Sequence, residues 1–213
     1  MRGPYWTEIL WAGNRIQVWS TALCQPPSIY AQCKDALAEI EIRRFEQYGD
    51  PDTADEFVVR RGTLRHLLSD FLGVAPTEIL IDQSQGKPFL PNHMPEFSVS
   101  SSKDLALFAI SASGPVGVDV EWIDAHFDFE SVLNGSFSER EQKSLRGKAV
   151  EQFYEAWVRK EAAVKALGLG LSRSLADLEV MFADRVHSPG SPDLILRDFE
   201  LPPGYRGALA HFR

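Results

Sequence analysis

The chain has 213 residues, of which 44% are hydrophobic and 24% charged, with 13 Phe and 5 Trp; it can bury one good core or two small ones and is not a disordered chain. A formal net charge of −8 argues against general nucleic-acid binding, and no apolar run approaches the length of a membrane span. The start, Met1-Arg2-Gly3-Pro4-Tyr5-Trp6, lacks the apolar stretch and small-residue cleavage site of a secretory signal. Cys24 and Cys33 have no metal-ligand spacing and read as a reduced pair in a cytoplasmic protein, unless folding brings them together. Acidity is spread evenly: residues 1–114 hold 10 Lys+Arg against 14 Asp+Glu, and residues 115–213 hold 12 against 16.

In chain order, Arg15–Leu23 reads as a strand ended by Pro26-Pro27. Ala36–Tyr48 reads as a helix that Gly49-Asp50-Pro51-Asp52 terminates. Phe57–Leu72 is a predicted helix, with Phe57, Leu64, Leu67, Leu68 and Phe71 as its apolar stripe and Gly73 as its stop. Glu78–Asp82 reads as a short strand. Phe97–Ser101 and Leu105–Ser111 read as a hairpin across Ser102-Lys103-Asp104, leading into a strand through Asp119. Ser138-Glu139-Arg140-Glu141 fits a capping box that opens a helix. From Glu151 to Leu167 there is no Gly or Pro, and Phe153, Trp157, Val164 and Leu167 recur near helical spacing, with Gly168 as C-cap and Gly170 behind it. Strands follow near Leu178–Phe182, Leu194–Phe199 and Ala208–Phe212. The helices Phe57–Gly73 and Phe153–Gly168 each sit among strands and each end in Leu-Gly, a hint of two similar halves in an α+β fold.

Two motifs carry chemistry. In Gly117-Val118-Asp119-Val120-Glu121 the two carboxylates share one side of the strand. Like charges so placed repel unless water or a cation separates them, so a solvated face and a cation site are both open. In Trp157-Val158-Arg159-Lys160-Glu161-Ala162-Ala163-Val164-Lys165, Trp157, Glu161 and Lys165 fall on one drifting side of the helix. Lys160 lies about 100° round from Glu161. Glu161 and Lys165 alone could be a surface ion pair. Beside Asp119 and Glu121 they complete a set of three carboxylates and two lysines, which suits Mg²⁺ held against a pyrophosphate.

These two motifs together resemble the signature of surfactin-type 4′-phosphopantetheinyl transferases. Further resemblances lie in family order: Gly86-Lys87-Pro88, Phe97-Ser98-Val99-Ser100-Ser101-Ser102, the helix Arg61-Gly62-Thr63-Leu64-Arg65, and Arg43-Arg44-Phe45 upstream. The resemblance spans about residues 40–171. It implies an Mg²⁺-dependent transfer of phosphopantetheine from coenzyme A to a serine of an apo acyl or peptidyl carrier protein, by a cytoplasmic monomer. It also implies two α/β-sandwich halves related by a pseudo-twofold, 1–113 and 114–213, with coenzyme A in the cleft between them.

By that resemblance Asp119, Glu121 and Glu161 hold the metal, and Glu161 is the candidate to accept the serine proton, directly or through a metal-bound water. Lys165 and Lys160 stabilise the phosphates, while Arg43, Arg44, Lys87 and Ser100 bind coenzyme A. Lys87 also reads as an ordinary turn lysine, Ser100 as an ordinary strand residue, and Glu141 as either a metal neighbour or only a capping residue. Arg140, Lys143, Arg146 and Lys148 are either a carrier-docking patch or a solvated helix face. Two departures stand out: Ser101 replaces the family's His, and Glu56 replaces a basic residue. Both family groups help grip the 3′-phosphate of coenzyme A, so their loss predicts poor discrimination against dephospho-coenzyme A. It also leaves open a non-catalytic relative that binds a carrier or a nucleotide.

Overall fold

The first half of the chain builds β1 (Thr7–Ala12), β2 (Ile16–Ala22), α1 (Pro27–Asp35), α2 (Glu39–Phe45), α3 (Pro51–Leu72), β3 (Glu96–Ser102) and β4 (Leu105–Ser111). The second builds β5 (Val116–Trp122), α4 (Glu130–Ser136), α5 (Glu139–Leu145), α6 (Val150–Leu167), β6 (Arg185–Val186), β7 (Leu194–Asp198) and β8 (Tyr205–Phe212). The computed structural model describes residues 5–12, 15–83, 87–168, 175–186 and 193–213. Gly86 and Gly170, both singled out in the sequence, lie outside them. The strands form two antiparallel sheets, ordered β1-β2-β4-β3 and β5-β8-β7-β6. The chain is thus α+β, with one four-stranded sheet on each side of Ser113-Gly114-Pro115.

Side-chain alternation explains how the layers stack. β4 is buried along its whole length because both of its faces meet a core. Ala106, Phe108 and Ile110 pack with Leu64, Leu67 and Leu68 of α3. Leu105, Leu107 and Ala109 pack with Val116, Val118 and Val120 of β5. The opposite side of the second sheet receives α6, through Val158, Ala162, Ala163 and Ala166. The order of layers is therefore α3, first sheet, second sheet, α6. Small residues on α6 let it lie close to β5, which fixes the site described below.

Prolines account for two differences from the expected elements. Pro26-Pro27 does not simply break the chain: Pro27 is the first residue of α1, where a missing N–H costs nothing. Asp50-Pro51 likewise opens α3 instead of ending the preceding helix, with Asp50 Oδ2 accepting from Thr53 N at 2.8 Å. The helix expected over 36–48 is confined to α2. Residues 78–82 are not a strand but a 3-10 turn (Pro76–Glu78) followed by a single bridge between Asp82 and Phe89. Residues 178–182 are not a strand either; Val180 instead donates its N–H to Glu141. The hairpin, β5, α5, α6, β7 and β8 fall where expected. Gly73 and Gly168 end their helices at φ 70° and 65°, conformations that favour glycine.

Among the described residues, no helix is long and apolar enough to cross a membrane.

Candidate active site

The site begins with a close approach. A Cβ on Gly117 would stand 1.9 Å from Ala162 O and 2.6 Å from Ala166 N, so only glycine lets β5 lie this near α6. That contact places Asp119 and Glu121 beside Glu161 and Lys165. Asp119 is 3% exposed. Its Oδ1 accepts from Lys165 Nζ at 2.7 Å and from Ser100 Oγ at 2.7 Å. Lys165 Nζ also donates to Ser100 Oγ at 3.0 Å and Val118 O at 3.1 Å. Glu121 Oε2 accepts from Ser102 Oγ at 2.8 Å.

The electrostatics favour a cation. Burial pushes the Asp119 carboxyl above the usual range, against the opposing pull of Lys165 and Ser100. Burial also raises Glu121, where Ser102 pulls down and the charges on Asp119 and Glu161 push up. Glu161 is raised by burial and then by Asp119, with Lys165 opposing. Asp119 Oδ2 is buried and has no hydrogen-bond partner. A buried carboxylate oxygen without a donor is costly, and a divalent cation would satisfy it. Among the described residues no three His, Cys, Asp or Glu side chains form a ready metal cage. Mg²⁺ does not need one: it commonly takes one or two carboxylates and completes its shell with waters and phosphate oxygens. The residues present fit that ion.

Next to the acids lies a cleft of about 420 Å³. Arg44, Arg60, Arg61, Lys87 and Lys165 line it, and among the described lining residues there is no Asp or Glu. In a chain of net charge −8, that is a strong local reversal of sign. Lys87 Nζ spans the seam, donating to Val116 O at 3.0 Å and Lys165 O at 3.2 Å. Arg44 donates to Gln83 Oε1 at 2.7 Å. Arg60 Nη1 donates to Ser101 Oγ at 2.9 Å. Arg61 is buried, pairs with Glu41 at 3.2 Å through Nε, and keeps Nη1 without a partner.

The family model of the 4′-phosphopantetheinyl transferase superfamily matches residues 115–201, the segment that contains all three carboxylates. The 4′-phosphopantetheinyl transferase HetI of Nostoc sp. is 32% identical over 176 residues, covering 78% of this chain and 74% of that protein. The chain belongs to the 4′-phosphopantetheinyl transferase superfamily. Its affinity is to the surfactin type: the 4′-phosphopantetheinyl transferase Sfp of Bacillus subtilis is 28% identical over 201 residues, covering 81% of this chain and 86% of that protein. The L-aminoadipate-semialdehyde dehydrogenase-phosphopantetheinyl transferase of Xenopus laevis is 27% identical over 173 residues, covering 73% of this chain but 57% of that protein. The protein is thus an enzyme of the transferase class.

Not every expected site residue of this transferase reaches the cleft. Lys160 is fully buried. Its three donors go to Glu141 Oε2 at 2.8 Å, Leu175 O at 2.9 Å and Leu178 O at 2.7 Å, leaving none for a phosphate. The expected phosphate contact is replaced by an internal ion pair. Glu141 is equally enclosed, accepting from Ser138 N at 3.1 Å and Val180 N at 2.7 Å, so it anchors the fold and does not neighbour the metal site. Arg43 is exposed, pairs with Glu39 one turn away and does not line the cleft. Glu56 does not line it either; Arg60, one turn further along α3, does. Arg60 and Arg61 line the cleft although neither is among the site residues expected from sequence.

Proposed function

We propose that this transferase moves 4′-phosphopantetheine from coenzyme A to a serine of an apo acyl or peptidyl carrier protein, with Mg²⁺. The observation that carries the reading is the polarity of the site. Among the described residues, a cleft lined by five basic residues and no acid adjoins three carboxylates, of which Asp119 raises both Glu121 and Glu161. Coenzyme A has the matching polarity, with a polyanionic nucleotide end and a pyrophosphate at which the bond breaks.

Asp119, Glu121 and Glu161 would hold Mg²⁺, which when bound neutralises charge on the pyrophosphate oxygens. Asp119 Oδ2 is the ligand atom with the most to gain. The carrier serine Oγ attacks the β-phosphorus; an O–P bond forms, the bond from that phosphorus to the bridging oxygen breaks, and 3′,5′-ADP departs. Glu161 would accept the hydroxyl proton, directly or through a metal-bound water. Lys165, already placed between Asp119 and Ser100, stabilises the leaving group. Lys87 and Arg44 hold the phosphates along the cleft. Arg60, bonded to Ser101, supplies the positive charge that the family's His supplies elsewhere.

The test is incubation with coenzyme A, Mg²⁺ and several apo carriers, read by intact-protein mass spectrometry. Gain of one phosphopantetheinyl group on the carrier serine is expected. If coenzyme A binds but no carrier gains mass, the chain is a binding relative and not an active transferase.

A further inference from the structure

β3 and β5 are edge strands of different sheets, and side chains bridge the seam between them. Alternate residues of β3 face β5. Val118 N donates to Ser98 Oγ at 3.1 Å, and Ser100 Oγ donates to Asp119 Oδ1 at 2.7 Å. Ser102 Oγ does both jobs at once: it accepts from Trp122 N at 3.0 Å and donates to Glu121 Oε2 at 2.8 Å. The turn that follows grips the same end of β5. Lys103 Nζ sits 3.9 Å from the Trp122 ring centroid. Asp104 N donates to Tyr205 OH at 3.3 Å, and the Tyr205 ring meets Trp122 edge-on at 4.9 Å.

We propose that Ser102 is a positioning residue, which aims the Glu121 carboxylate at the divalent cation. This rests on the metal reading above. Glu121 is a flexible side chain beside two like charges, Asp119 and Glu161, and repulsion favours rotamers that swing it outward. Ser102 opposes that motion with a hydrogen bond to one carboxylate oxygen and leaves the other for the ion. Its own orientation is fixed, because Trp122 N occupies an acceptor site on the hydroxyl. The hydroxyl thus ties Glu121 to the main chain of the strand that carries it. Loss of such a partner behind a metal ligand typically weakens metal binding by about 10–100-fold.

The experiment is Mn²⁺ titration by electron paramagnetic resonance with coenzyme A present, on wild type, Ser102→Ala, Ser102→Thr and Tyr205→Phe. Wild type should bind one Mn²⁺. Ser102→Ala should bind it about tenfold or more weakly, with metal-free coenzyme A affinity unchanged by calorimetry. Ser102→Thr keeps the hydroxyl and should restore binding. Tyr205→Phe removes a seam hydrogen bond that touches no carboxylate, so it should lower Tm slightly and leave Mn²⁺ affinity alone. If Ser102→Ala does not fold, Ser102→Cys keeps the volume, weakens the donor and should show the same loss in milder form. Mn²⁺ affinity within twofold of wild type in folded Ser102→Ala, or in Ser102→Cys where Ser102→Ala does not fold, overturns the proposal. Equal losses in Ser102→Ala and Tyr205→Phe also overturn it, reducing Ser102 to a rung of the seam. Absence of Mn²⁺ binding in wild type removes the metal reading itself, and the proposal with it.

Discussion

Arg60 Nη1 donates to Ser101 Oγ at 2.9 Å, so the position where the family has His carries a cation after all, borrowed from α3. Glu56, the other departure, does not line the cleft, and its charge acts on Arg60 of the same helix. Poor discrimination against dephospho-coenzyme A, which the two substitutions suggest in isolation, is therefore not expected of the folded protein. Wild type should prefer coenzyme A, and Arg60→Ala should lose that preference. One charge-assisted hydrogen bond contributes about 1.5–3 kcal/mol, or roughly 10–100-fold. The fall should lie in kcat/KM for coenzyme A, mostly through KM, with dephospho-coenzyme A little affected. Equal preference in Arg60→Ala and wild type would leave the phosphate to Arg44 or Arg61.

Asp119→Asn separates holding a cation from holding the fold. The Asn oxygen still accepts from Ser100 and Lys165, so the metal-free variant should unfold near the wild-type midpoint. Wild type in Mg²⁺ and coenzyme A at about 100 times the dissociation constant gains roughly 2.7 kcal/mol by linkage. The variant should gain little from Mg²⁺ beyond what coenzyme A gives alone, and turnover should be lost. Thermal melts with each ligand separately and together give the comparison. Retained Mg²⁺ stabilisation in Asp119→Asn would remove Asp119 from the metal site.

The motifs on β5 and α6 were legible because alternation and helical periodicity are local signals, and both elements formed as expected. The direction of Lys160 was present in the same periodicity. Phe153, Trp157, Val164 and Leu167 leave a gap at helical spacing, and Lys160 fills it; its partner Glu141 is distant in sequence and gave no local sign. Arg60 and Arg61 fall in the like gap between Phe57 and Leu64 on α3. An arginine on an apolar stripe signals a buried cation or a ligand cleft. The helix starts at Pro27 and Pro51 differ from expectation because proline both stops a helix and opens one. Only the flanking residues decide which, and Asp50 as an N-cap was the sign.

Alkaline pH should weaken the first half of the fold through Cys33. Its side chain is fully buried, with Sγ 3.0 Å from Tyr5 OH, and burial is the main cause raising its pKa. The folded state therefore keeps a proton that the unfolded chain releases. Stability from this group is complete below the unfolded thiol value near 8.5 and falls as pH rises above it, by about 1.4 kcal/mol per pH unit. Tyr5, also raised chiefly by burial, adds to the fall at higher pH. Urea unfolding at pH 7.5 and 9.5 should show a smaller loss in Cys33→Ala than in wild type. The same loss in both would mean that other groups dominate.

Lys160 offers the sharpest division between a structural and a catalytic lysine. Both Lys160 and Glu141 are fully buried, at a separation of 2.8 Å. Burial holds the Lys160 pKa below its ordinary value, and Glu141 pulls it back up. Lys160→Met removes the cation and leaves a buried carboxylate whose partners among the described residues are the N–H groups of Ser138 and Val180. Breaking a buried pair from one side typically costs about 3–5 kcal/mol. Adding Glu141→Gln removes the stranded charge and keeps an acceptor, so the double variant should recover part of that loss, a coupling that a double-mutant cycle measures. Below its melting range, folded Lys160→Met should keep near-normal KM for coenzyme A, since the ammonium faces away from the cleft. A phosphate-binding lysine gives the opposite pattern, with a large rise in KM and little change in the denaturation midpoint. Denaturant titrations and coenzyme A kinetics on the two variants distinguish the cases, and a raised KM at unchanged stability would return Lys160 to the active site.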